Sequence, residues 1–345
     1  MSQLYSYSRI GCYFTCPWQY ENRYIKKTPS PLPEGVELFM GSRFHEAMEY
    51  LYGQLPSSLP SLEDLVQRFD QFWEVGWKNL QVKQKQKGFS SPIRISKEGE
   101  AIEDYHQRAK LFVERYYEKY TPFDQDQTVK NGLERRVLFS LDPDGLYRMQ
   151  GYIDRVAKTP DGTLWVHDYK TGSHKHNPGD SEKEDQLSLY QVGLSQDPLF
   201  KDSTIRLMWH YVAFDDDVIE IQRNPDELES LKSRYIQKIQ TIEKAKTYEP
   251  QTSALCGWCE YLPLCPKGQA AVEQRRKKKD GAGNGSFVMP AELNSSSLLA
   301  EGPKAEKTNE PRLGSERATF GNKPHPTPRA KKKPGNDPTP QLPLF

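Results

Sequence analysis

The sequence predicts an α/β protein with helices packed on a mixed sheet, and three observations carry that reading. The first third repeats apolar residues every three or four positions, as amphipathic helices do. The middle alternates or runs apolar between Asp-Gly turns, as strands do. A helical stretch then separates the third strand-like run from a fourth, and that order places helices against a sheet.

Helical periodicity covers about 18–27, 42–52, 62–80 and 97–120. It is clearest in the last, where Ile102, Tyr105, Ala109, Phe112 and Tyr116 fall at three- and four-residue steps. Strands follow at GLERRVLFSL, GLYRMQGYIDRVAK and GTLWVHDYKTG. A helix over about 184–194, a strand at TIRLMWHYVAF and a long helix over about 225–248 come next. Residues 53–120 read as a helical insertion within a domain spanning about 1–270.

The rest differs in composition. From Ala271 onward there are 14 Lys/Arg against 8 Asp/Glu, a net of +6 in a chain whose total is +1, so the earlier residues carry −5. All 6 Trp and all 19 Tyr precede Ala271, while 10 of the 26 Pro follow it. Such a segment buries too little apolar area to offset its ordering entropy, so 271–345 is expected to be a disordered basic tail. No apolar run is long enough to span a bilayer, and the polar start MSQLYSYS does not resemble a signal peptide, so a cytoplasmic location is expected. Five cysteines, three of them in LCGWCEYLPLCP, suggest a metal site rather than disulfides in such a compartment.

The chemistry is concentrated at a hairpin. In TPDGT, Pro160 suits the first corner of a type I turn and Gly162 the left-handed residue that closes a three-residue loop. Thr159 then faces Thr163, and five residues back along each strand Asp154 stands opposite Asp168. Opposed carboxylates destabilise a sheet unless positive charge lies between them, and a divalent cation would supply it. Lys170, two residues on, points the same way as Asp168, whereas Tyr169 points to the other side. The competing reading is a solvated hairpin with an Asp168–Lys170 salt bridge.

GYIDRV followed by VHDYKTG resembles motifs II and III of the PD-(D/E)XK nuclease superfamily, in the RecB/AddB-like branch that includes CRISPR-associated iron-sulfur exonucleases. Asp154 has no preceding Pro, so the match is to that branch's G-x-hydrophobic-D form. GSRFHEAMEYL resembles the branch's upstream helix with a metal-binding His, here His45, and QLSLYQVGL its Q-x-x-x-Y motif, here Gln186 and Tyr190. CPWQYENRY resembles its N-terminal Cys-Pro segment, and LCGWCEYLPLCP its C-terminal cysteine triplet. Colinear motifs run from about residue 8 to 266; residues 53–97 match nothing in them.

The resemblance implies a restriction-endonuclease-like fold and a Mg²⁺- or Mn²⁺-dependent DNA nuclease, expected to be an exonuclease of repair or recombination. His45, Asp154, Asp168 and the Tyr169 carbonyl would be its metal ligands, and Lys170 its catalytic lysine. Gln186 and Tyr190, four apart and so on one helical face, would position Lys170 or the DNA backbone; core packing of Tyr190 competes. Ser42 is a plausible helix N-cap, which would put His45 in the first turn, where the helix dipole favours neutral imidazole. Glu134 could add a carboxylate or simply pair with Arg135 or Arg136. His174 and His176 read as solvated.

By the same resemblance the fourth thiolate beside Cys256, Cys259 and Cys265 is Cys16, which precedes Pro17; Cys12 is the competitor. Four cysteines serve zinc or an iron-sulfur cluster alike, and the resemblance favours [4Fe-4S]. In the tail, RRKKK and RAKKK could add salt-sensitive DNA affinity, and the final QLPLF resembles a peptide that docks on bacterial sliding clamps, with Gln341, Leu342, Leu344 and Phe345 as contacts. A non-catalytic DNA-binding or clamp-associated scaffold and a CRISPR adaptation nuclease are the alternatives. Strand polarity, single- or double-strand preference and a helicase partner stay open.

Overall fold

A computed structural model describes residues 3–177, 179 and 181–280. The six-stranded sheet runs β1 (Leu4–Tyr5), β3 (Arg148–Lys158), β4 (Leu164–Lys170), β5 (Ile205–Tyr211) and β6 (Asp217–Ile221), with β2 (Gln127–Ser140) also paired to β3. The β1–β3 and β4–β5 pairs are parallel and the others antiparallel, so the sheet is mixed. The α/β expectation holds.

Eight α-helices are present among the described residues. On one face lie α1 (Tyr7–Thr15), α6 (Ser181–Ser195) and α7 (Pro225–Lys244), around a core that includes Ile10, Leu187, Val166, Leu207 and Ile239. On the other, α3 (Val36–Gln54), α4 (Leu62–Gln86) and α5 (Ile102–Tyr120) pack around Phe44, Leu51, Phe69, Val113 and Tyr169. A short α2 (Pro17–Tyr20) runs into a π-helical turn, and α8 (Pro266–Asp280) carries the Arg275–Lys279 cluster on a helix. No helix among the described residues is long and apolar enough to cross a membrane.

Local signals explain the helix starts. Ser61 and Asp64 form a capping box at α4, and Asn224 with Glu227 does the same at α7, where Pro225 occupies the first turn. The expected cap at Ser42 is not one: α3 begins after Gly35, and Ser42 Oγ donates to the Leu38 carbonyl of the preceding turn (3.0 Å). The apolar series Val36, Phe39, Met40, Phe44 starts the helix earlier, which places His45 in mid-helix.

The hairpin forms as its sequence indicates. Gly162 adopts φ +91°, and Thr159 N–H donates to Thr163 O (3.0 Å). The β3–β4 ladder runs from Lys158–Leu164 to Arg155–His167, one step short of Asp154 and Asp168. There the strands part, and the Tyr169 N–H donates to Asp154 Oδ2 (2.8 Å) rather than to a backbone carbonyl.

Candidate active site

The opening between β3 and β4 is where the site assembles. Glu134 on β2 has φ +44°, in the left-handed region, and side-chain alternation breaks beside it. Consecutive residues of β2 reach α3: Leu133 packs beside Gly53 while Glu134 approaches His45. On β3 the same occurs, with Asp154 by His45 and the Arg155 guanidinium 3.8 Å from the Tyr52 ring centroid. This interruption aims two carboxylates at one imidazole.

His45 Nδ1 lies 3.5 Å from Asp154 Oδ1 and 3.8 Å from Glu134 Oε1, while Nε2 lies 3.1 Å from the Tyr169 carbonyl oxygen. Ligand atoms of His45, Glu134 and Asp154 all fall within 4.8 Å of one another, a donor set suited to a divalent cation. Burial alone would lower the pKa of His45, but Asp154 and Glu134 push it up to about 10. The mid-helix position removes the expected dipole effect, and the two acids hold a proton on the metal-free imidazole.

Asp168 and Lys170 stand beside this group. Asp168 is buried, and burial pushes its carboxyl up to about 6 despite Lys170; the nearby Asp154 acts in the same direction. Lys170 Nζ contacts Asp168 Oδ2 (2.6 Å) and lies 4.4 Å from the Trp209 ring centroid. The Gln186 amide ties these groups together. Its nitrogen donates to Asp168 Oδ1 (3.2 Å) and Tyr190 Oη (2.9 Å), and its oxygen accepts from Lys170 (3.4 Å). The helical spacing of Gln186 and Tyr190 therefore does bring them together over the strand.

The Tyr190 hydroxyl also takes a hydrogen bond from the Tyr152 backbone, on the stretch of β3 that neither β1 nor β4 pairs. Gly151 makes room for it: a Cβ there would lie 2.3 Å from Tyr190 Cε1. Trp209 and the positioning role of Gly151 were not apparent from the sequence. Trp209 faces Asp168 only through the parallel β4–β5 register, which hydrophobic patterning does not specify.

A family model of the PD-(D/E)XK nuclease superfamily matches residues 5–266. The chain belongs to that superfamily. No curated protein matches it. Among solved structures, the "Putative exonuclease" from Eubacterium rectale is similar at 12% identity and a TM-score of 0.41, covering 77% of this chain and 87% of its own. SSO0001 is similar at 15% identity and a TM-score of 0.28, covering 67% of this chain and 96% of its own. Likenesses at these scores add nothing to the assignment, which rests on the family model.

This PD-(D/E)XK domain holds a second cluster. Cys16, Cys256, Cys259 and Cys265 line one cavity, joining the start of α2 to the segment after α7; Cys12 is not among its lining residues. Backbone N–H groups of Ser253 and Gly268 point at the sulfurs of Cys256 and Cys265, each at 3.3 Å, as they would toward thiolates. Burial pushes the Cys12 thiol up to about 11 and raises those of Cys259 and Cys265 as well. A zinc tetrahedron needs sulfurs about 3.8 Å apart. Among the described residues no three cysteine sulfurs come within 4.8 Å of one another.

A further expectation is corrected. His176 is buried rather than solvated: Tyr211 and Glu184 lie against it on the core face, so the polar loop folds back over β5. His174 is exposed. Gln341, Leu342, Leu344, Phe345 and the rest of the tail beyond Asp280 lie outside the described residues.

Proposed function

We propose that this metal-dependent nuclease is a Mg²⁺- or Mn²⁺-dependent deoxyribonuclease that works from DNA ends. The observation that carries the metal-dependent hydrolysis is the convergence of His45, Glu134 and Asp154 beside the buried Asp168 and its partner Lys170; DNA as the substrate and attack from its ends follow from the motif resemblance. His45, Asp154, Asp168 and the Tyr169 carbonyl would hold the cation, with Glu134 as an added carboxylate. A cation so held supplies Lewis-acid charge for the phosphoryl oxygen and lowers the pKa of water.

The protein's own groups do the rest. Lys170, kept between Asp168 and the Trp209 ring, is placed to orient the attacking water and to offset the negative charge that develops on the phosphoryl group. Gln186 fixes the Lys170 ammonium and the Asp168 carboxylate relative to each other, and Tyr190 braces Gln186. Asp154 is oriented by the Tyr169 N–H, so the parted strands present their acids without free rotation.

The cysteine cavity is proposed to hold a [4Fe-4S] cluster that clasps the start of the chain to the segment after α7. The four thiols that line one cavity and the N–H groups aimed at Cys256 and Cys265 support this reading. A role in DNA repair and docking on a sliding clamp through Gln341, Leu342, Leu344 and Phe345 are proposed from the sequence alone.

Product analysis tests the activity. With Mg²⁺ or Mn²⁺, linear DNA should be degraded from its ends and closed circular DNA of the same sequence spared. Equal degradation of both would overturn the end-dependent reading.

A further inference from the structure

We propose that the exposed face of the β2–β3 ribbon is a track for single-stranded DNA leading to the metal group, an inference that rests on the nuclease reading above. The ribbon has two unlike faces. Val137, Phe139, Met149 and Gly151 turn toward α6, where Gly193 and Tyr190 meet them. The opposite face carries Arg136 across from Tyr152, Leu138 across from Gln150, and Ser140 across from Arg148. Tyr152 is 54% exposed and Leu138 47%, although both sit in the middle of paired strands.

The composition of that face matches one ligand chemistry. Arg136 donates to Gln150 Oε1 (2.8 Å), and among the described residues neither Arg136 nor Arg148 pairs with a carboxylate. Two exposed guanidiniums, Arg136 across from the ring and Arg148 four residues along β3, share this face with an exposed aromatic ring, the combination that binds a nucleic-acid backbone while stacking an unpaired base. In a duplex the base faces are already stacked on one another, so Tyr152 suits a single strand.

Continuity with the site is set by the strands themselves. Arg136 and Tyr152 each lie two residues from a member of the metal group, Glu134 and Asp154. That interval is about 7 Å along a strand. A nucleotide next to one whose phosphate sits on the cation would thus meet Tyr152 and Arg136, and a further one Arg148. The acids Glu134 and Asp154 repel a strand unless the cation is present, which makes the track engage productively only in the loaded enzyme.

The test separates binding from hydrolysis. Fluorescence anisotropy of the full-length protein with a labelled single-stranded 20-mer and a hairpin duplex, in Ca²⁺, would compare wild type, Tyr152→Ala, Tyr152→Phe, Arg136→Ala and Arg148→Ala. Tyr152→Ala should weaken single-strand affinity at least about fivefold with little change on duplex, and Tyr152→Phe should restore it because the ring face is kept. Each arginine variant should lower the salt dependence of single-strand binding by about 0.7 in log–log slope. Variants that bind the single strand as wild type does would overturn the track, as would equal losses on duplex; wild-type hydrolysis measured alongside shows whether the nuclease reading survives. Loss of single-strand binding in Tyr152→Ala, together with a wild type inert toward all DNA, would leave the track standing and remove the nuclease reading instead.

Discussion

Asp168 shows how the site sets function against stability. Its folded carboxyl is raised above the ordinary value, so the metal-free fold holds that proton more tightly than the unfolded chain does. Stability associated with the protonated form is present below about pH 4 and is lost as pH rises through about 6. The loss is on the order of 2–3 kcal/mol. Asp168→Asn should therefore raise the melting temperature in EDTA at pH 8 by roughly 5 °C, with a smaller gain at pH 5. A gain independent of pH would contradict this. His45 makes the complementary prediction: its metal-free imidazole is protonated at pH 8, and ligation requires the neutral form. Mn²⁺ binding should release about one proton, read by calorimetry in buffers of different ionisation enthalpy, and its affinity should rise with pH. No proton release would remove His45 from the ligand set. Asp154, Asp168 and Lys170 were legible as residue types at strand spacing. Glu134 was not resolved from a surface ion pair, because its contact depends on a left-handed backbone that no local motif announced.

At the scale of elements, the hairpin was legible because its turn chemistry fixes its register, and the observed ladder keeps that register to its last pair. Two short strands carry no legible signal. Leu4–Tyr5 is too brief for periodicity, and Asp217–Ile221 follows two left-handed residues, Asp215 and Asp216, that read as loop. The start of α3 is not legible at Ser42, because a mid-helix serine and a capping serine look alike until the preceding apolar turn is counted. The joint between β3 and α6 yields a test. Gly151→Ala forces a methyl against the Tyr190 ring, which must move and release Gln186. Turnover should fall about 10- to 100-fold, with about 1–3 kcal/mol lost from stability. Unchanged turnover would show that Tyr190 does not brace the lysine. At α4, Ser61→Ala should cost about 1 kcal/mol by urea unfolding and leave hydrolysis intact.

For the whole molecule, the four-cysteine cavity links residues near position 16 to residues past 255, so a group bound there would tie both ends of the domain. Anaerobically prepared protein should absorb broadly near 400 nm and carry about four irons. Cys16→Ser should abolish that absorption, whereas Cys12→Ser should keep it. One tightly bound zinc without iron would contradict the cluster. The two face cores were legible from periodicity, but the pairing of distant cysteines came from motif order rather than from any local pattern. The measurement that bears most directly on the account is hydrolysis of end-labelled single- and double-stranded DNA in Mg²⁺ or Mn²⁺ by wild type and Asp168→Ala. The account predicts metal-dependent degradation by wild type, abolished by EDTA, and a loss of about a thousandfold or more in Asp168→Ala. Equal rates for the two proteins would contradict it.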